Sequence, residues 1–167
     1  MRFQYIESNL LNNEKLLYGV RPHWIIFVSG CALVALGLYA WIFSPFGFST
    51  DIFASLSAHS VIAVALLLVG LYWILSAYIY FVTSEYCVTN KRVVIKVGWI
   101  KRSSLELLLD KVEGVLVDQS IPGRIFNYGI ITIIGTGGTK DSFPYIPNPL
   151  LFRKNVEEAV EEFEKRV

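Results

Sequence analysis

Two stretches of this chain, Trp24 to Phe43 and Val61 to Val82, contain no Asp, Glu, Lys or Arg. A helix rises about 1.5 Å per residue, so about 20 residues cover the ~30 Å hydrocarbon core of a bilayer, and each stretch is long enough to cross one. No other feature limits the architecture as severely. The expectation is an integral membrane protein built on a helical hairpin, and the open question is what that hairpin holds at the surface.

The first stretch lies too far from Met1 and runs too long for a secretory signal, and no small-residue cleavage site follows it, so it is expected to be retained. Arg2, Lys15 and Arg21 precede it, the other Lys and Arg follow the second stretch, and the connecting segment Ser44 to Ser60 has none. Basic residues stay on the cytoplasmic side, so both termini are expected in the cytoplasm and the connecting loop outside. The chain then divides into an N-terminal cytoplasmic segment (1–23), a two-helix transmembrane hairpin (24–82) with an outward loop (44–60), and a cytoplasmic domain (83–167).

Small residues recur seven apart in both spans, at Gly30 and Gly37 in the first and at Ala63, Gly70 and Ala77 in the second. That spacing keeps each set on one stripe of its helix. In lipid, apolar surface alone gives helices little reason to associate, and small residues that let backbones approach are a main source of pairing. These five are the expected helix–helix packing residues. Tyr78, Tyr80 and Phe81 are expected as an aromatic belt at the inner headgroups. In the loop, Ser49 or Thr50 is placed to cap a short helix whose apolar side, Ile52, Phe53 and Leu56, lies on the outer surface.

About 85 residues follow Val82, enough for one small core. Their pattern is strand-like. Glu85 to Thr89 and Arg92 to Val97 flank a tight turn at Asn90-Lys91, with a break at Gly98, and further strands are expected at Ser103 to Leu109, Val112 to Gln119, Ile130 to Gly135 and Asp141 to Tyr145. Ile121 to Gly129 reads as a compact irregular turn. Asn148 and Pro149 supply an N-cap and a first-turn proline for a closing helix, in which Phe152, Val156, Ala159, Val160, Phe163 and Val167 recur at helical spacing. Its other face, with Glu157, Glu158, Glu161, Glu162 and Glu164, is expected to be solvated. The fold class is a membrane α-helical hairpin plus a cytoplasmic α+β domain, a bent antiparallel sheet or partial barrel capped by a C-terminal helix.

The net charge of +1 gives no electrostatic case for nucleic acid. Cys31 falls inside the first span and Cys87 in a strand, so no disulfide is expected, and neither has a neighbour at metal-ligand spacing. Gly135-Thr136-Gly137-Gly138-Thr139-Lys140 lacks the spacing of a phosphate-binding loop and precedes strand-like sequence, so it reads as a strand connection. His23, beside Trp24, is expected to pack at the membrane boundary. No nucleophile elbow and no acid–base carboxylate pair stands out. No catalytic residue, metal or cofactor is expected, and the chain is read as no enzyme.

Several ordered motifs together resemble a known family. Val88 to Gly98, Leu107 to Val115, Gly123 to Gly129 and Gly135 to Gly138, preceded by Asn13 to Tyr18 and Arg21 to Trp24, are similar to the bacterial pleckstrin-homology-like (PH) domains found in small membrane proteins. The resemblance covers nearly the whole chain. It implies a PH-like barrel in a bacterial inner (plasma) membrane protein and says little about function, since fold alone does not determine it. Eukaryotic PH domains that hold phosphoinositides use a basic first hairpin with a roomy loop, and the tight Asn90-Lys91 turn departs from that pattern.

After the Asn90-Lys91 turn the return strand leads to Trp99, Ile100, Lys101 and Arg102. In one reading this group faces the membrane, its apolar pair in the acyl boundary and its cations near anionic headgroups. In the other, Trp99 and Ile100 pack in the core and the cations are solvated. The function expected is a non-catalytic scaffold or interaction module that forms a homo-oligomer larger than a dimer or binds another membrane protein. The alternative is a module that binds or senses anionic lipid headgroups.

Overall fold

A computed structural model describes residues 4–43, 58–98 and 103–166. A short helix α1 (Gln4–Ser8) leads to strand β1 (Leu16–Val20), a 3-10 turn at Trp24–Phe27, and two long helices, α2 (Val28–Ile42) and α3 (Ala58–Thr83). Strands β2 (Glu85–Thr89), β3 (Arg92–Val97), β4 (Ser103–Leu108) and β5 (Val112–Asp118) follow, then a five-residue helix α4 (Ile121–Ile125), strands β6 (Tyr128–Gly135) and β7 (Thr139–Pro147), and a closing helix α5 (Pro149–Glu164). The strands form two antiparallel sheets, β1-β2-β3-β4 and β5-β6-β7. The chain separates into two compact units, Met1–His23 with Tyr80–Val167, and Trp24–Ile79.

The sequence-derived strands β2 to β7 recur within a few residues of their expected bounds, but the first strand was not anticipated. Leu16–Val20 precedes the apolar helices in the chain and its partner β2 follows them, with Leu16 opposite Thr89 and Val20 opposite Tyr86. The N-terminal residues are thus the first strand of the sheet, and the helical hairpin is an insertion between two strands that pair with each other. Ile121–Ile125, expected as irregular turn, closes one turn of helix. Asn148 is not a side-chain cap: it takes a left-handed conformation (φ 47°), and its side chain accepts a hydrogen bond from Asn127 instead.

Every residue of β2 is buried, because both faces of the first sheet are covered. Side chains alternate across a strand. Tyr86 and Val88, with Val93 and Ile95 from β3, turn toward the second sheet and α5, where they meet Ile131, Ile133, Phe143, Ile146, Phe152 and Val156. On the opposite face Cys87 and Val94 pack with Ile6 of α1 in a small second cluster. Gly129 and Ile131 of β6, with one residue between them, pair with Ile146 and Phe143 of β7, which have two between them. This bulge, with Tyr145 at φ 62°, shifts the alternation by one and lets Phe143 and Ile146 both face the core.

In the other unit, α2 and α3 meet through glycine. A Cβ on Gly30 would stand 2.7 Å from Ile74 Cγ1 and 3.0 Å from Ile74 N, and one on Gly70 would stand 2.9 Å from Val34 N. Backbone that close leaves no room for a side chain. Trp24–Ile42 and Ser60–Thr83 are each long and apolar enough to cross a membrane, and only 11% of the most apolar window in each is buried within the chain.

Candidate functional site

The turn between β2 and β3 is where the sequence places two adjacent cations, and the fold has already engaged both. Glu14, buried, accepts from Arg92 through Nε at 2.9 Å and Nη2 at 3.0 Å, a two-point fork of the kind that fixes both groups. The Thr89 hydroxyl donates to the same carboxylate at 2.8 Å and the Leu11 amide donates at 2.7 Å. Arg92 also reaches Glu106 at 2.7 Å and the Asn9 carbonyl at 2.8 Å, while Lys91 Nζ donates to the Asn12 carbonyl at 2.7 Å. Burial pushes the Glu14 carboxyl up, but the Leu11, Arg92 and Thr89 hydrogen bonds and the Arg92 charge outweigh it and hold it below the usual range. At the other end of β2, Glu85 accepts from the amides of Tyr5 and Ile6 and ties α1 to the sheet. The Asn90-Lys91 turn is therefore a clasp for the N-terminal segment. It is also the second hairpin of the sheet, since β1 and β2 form the first pair, and a headgroup bound there would have to displace these internal partners.

A different surface is built around α4. Ser120 accepts from the Gly123 amide at 3.3 Å and caps the turn, and Gln119 Nε2 bridges the carbonyls of Gly123 and Tyr128 at 3.3 and 3.1 Å. A Cβ at Gly123 would stand 2.7 Å from the Tyr128 carbonyl oxygen, so only glycine allows this approach. Asn127 exits the helix at φ 58°, and its carbonyl accepts from the Asn148 amide at 2.9 Å, which joins the turn to the start of α5. The scaffold is tight, yet it turns apolar side chains outward: Ile121 is 78%, Ile125 73% and Phe126 46% exposed, with Arg124 exposed among them. Leu150 and Leu151, also exposed, begin α5 just beyond the Asn127–Asn148 junction. Scattered apolar residues on a surface are ordinary, but a contiguous group marks a contact.

His23 rests on the same turn. Its ring stacks on Tyr128 with centroids 5.4 Å apart and 27° between planes, it hydrogen-bonds the Phe126 backbone, and its amide donates to the Tyr145 carbonyl at 2.7 Å. Burial lowers its pKa, and the Phe126 hydrogen bond partly offsets that. The next residue in the chain is Trp24, the first of the apolar stretch.

Of the residues singled out from sequence, Trp99, Ile100, Lys101 and Arg102 lie outside the described residues, as does most of the loop between the spans. Gly30, Gly37, Ala63 and Gly70 are buried and Ala77 is partly so. The Gly135–Gly138 run is the turn from β6 to β7, with Gly137 and Gly138 at φ 92° and 79°. Among the described residues no three His, Cys, Asp or Glu side chains gather as a metal set. Sequence reading missed Glu14, whose partner Arg92 is 78 positions away, and the α4 patch, whose only linear signal is a pair of isoleucines flanking Pro-Gly-Arg.

The profile of the bacterial PH domain family matches residues 21–163. Among solved structures, a DUF1696 family protein with a pleckstrin-homology domain from Shewanella loihica is similar over 48% of this chain and 73% of its own, with 11% identity and a TM-score of 0.39. No curated protein matches.

Proposed function

Since the chain belongs to the bacterial PH domain family, we propose that it is a non-catalytic interaction module held at the bacterial inner (plasma) membrane by its helical hairpin, with both termini in the cytoplasm. The observation that carries this reading is the insertion of α2 and α3 between β1 and β2. The helices interrupt a sheet whose ladder forms regardless, and few of their residues are buried by the rest of the chain. In water such surface would be costly, and in a bilayer it is solvated by lipid. The two helices pair through glycine on one side each, and strands β4, β5 and β7 are edges of their sheets. Edges pair readily with other chains. Copies that share one membrane and one orientation meet side by side about an axis normal to the bilayer, which favours a cyclic homo-oligomer larger than a dimer. Another membrane protein on the same edges is the second form of this reading.

The deciding measurement is the mass of the gently solubilised full-length particle, with its co-purifying proteins identified. A self-assembled ring has a mass several times that of the chain and no second component. A monodisperse monomer across mild detergents and lipid nanodiscs overturns self-assembly, and a stoichiometric second protein replaces it with the accessory role. Anionic lipid as the ligand of Trp99, Ile100, Lys101 and Arg102 is a separate proposal that rests on their side-chain chemistry. It predicts that Trp99→Ala with Lys101→Gln and Arg102→Gln reduces the contact of the domain with anionic bilayers, most visibly at low salt.

A further inference from the structure

We infer that the α4 turn is a lipid-contacting surface, in which Ile121, Ile125 and Phe126 enter the boundary between headgroups and acyl chains while Arg124 meets anionic headgroups. This rests on the membrane anchoring proposed above. Three observations within the domain lead to it. The turn is rigidly built, so its outward isoleucines are a fixed feature of the surface. Among the described residues of the domain, it carries the two most exposed large apolar side chains on either side of a cation, the combination that an interfacial contact requires. And His23, the last residue before the apolar stretch, stacks on Tyr128 and bonds the Phe126 backbone, so the chain leaves the domain for the first span from this very turn. A surface joined to the first residue of a membrane span through a single residue cannot lie far from the headgroups. A bilayer boundary accommodates both the apolar groups and the cation at their preferred depths.

The test uses full-length protein in vesicles of phosphatidylglycerol and phosphatidylethanolamine, with Cys31→Ser to remove the exposed thiol; Cys87 is buried and its thiol, raised to about 12 by burial and the Glu85 charge, stays unreactive. An environment-sensitive fluorophore is placed at Ile125→Cys, and its quenching by nitroxide-labelled lipids is compared with that of the same label at Lys140→Cys and at Leu36→Cys. Leu36 lies on an exposed face of α2, and its label reports insertion of the hairpin independently. The expected result is strong quenching at positions 36 and 125 and little at 140. Arg124→Gln should lower the ratio of quenched to unquenched label at 125 by about fivefold in anionic vesicles and leave it unchanged in zwitterionic ones, the factor expected from one cation at an anionic surface. Quenching at 36 with none at 125 overturns the lipid surface and leaves the anchoring intact. No quenching at 36 overturns both. A blue-shifted but unquenched label at 125 assigns the patch to a protein partner and likewise overturns the inference.

Discussion

Glu14 sits between two opposed effects, a burial that disfavours its charge and four hydrogen-bond donors that favour it, and the donors win. Its carboxyl pKa is lower in the folded chain than the ordinary 4.5, so the unfolded chain holds a proton more readily in mild acid. The stabilisation from Glu14 is therefore complete above the unfolded value and fades as pH falls through the lower folded one. Glu14→Gln should flatten the acid limb of a stability–pH profile measured by denaturant unfolding at several pH values, and a limb identical to that of the unaltered chain would show that Glu14 carries none of it. Glu14→Ala, which leaves the partly buried Arg92 with Glu106 as its remaining carboxylate partner, should cost about 3 kcal/mol, toward the lower end for a broken buried pair because Glu106 and the Asn9 carbonyl remain. From sequence, Arg92 stands at the start of a strand and Glu14 within a family motif, with nothing to link them. Only the meeting of residues 78 positions apart makes them a pair.

At the scale of elements, α1 is too short to be stable alone and exists because the sheet holds it. Glu85 accepts its leading amides, and Ile6 fills the space over Cys87 and Val94. Ile6→Ala should cost about 2–5 kcal/mol. It should also accelerate labelling of Cys87 under native conditions, which thiol-reactive dyes on the Cys31→Ser background would detect; unaltered labelling would mean that α1 does not shield the thiol. Helix α5 was the most legible element, since its period-3.6 apolar face needs no partner to be recognised, and Phe152 does reach the centre of the core, with Tyr18 at 6.1 Å. Its start was read less well. Asn148 before Pro149 is the composition of a cap, but the Asn127 side chain and carbonyl engage Asn148 and turn its backbone left-handed.

The whole molecule is a PH domain whose sheet is interrupted by two long apolar helices. A fragment that begins at Thr83 lacks β1, with Tyr18 and Val20, and should fail to fold cooperatively. Joining residues 1–23 to 80–167 through a short Gly/Ser linker restores the strand, because Val20 and Tyr86 face each other across the ladder. Thermal unfolding followed by circular dichroism separates the two chains: a cooperative melt for the linked chain and none for the fragment is expected, and equal melts would remove β1 from the folding unit. Topology has its own test. A cysteine near Ser57 should react with an impermeant reagent from outside the cell, and reaction only after the inner side is exposed would invert the orientation.

What the sequence determined by itself was everything that depends on near neighbours along the chain. The two apolar stretches, the glycine spacing within them, the alternation of β2 and β3, the amphipathic α5 and the family motifs are all written in short windows, because helical and strand periods express themselves over a few residues. What only the tertiary structure decided depends on residues brought together from far apart. Leu16–Val20 is too short, and contains too flexible a glycine, to declare itself a strand until β2 returns beside it after the hairpin. The clasp that engages Lys91 and Arg92, and the junction of His23 with the α4 turn, exist for the same reason: each joins groups whose separation in sequence hides the contact, and only the folded domain brings them together.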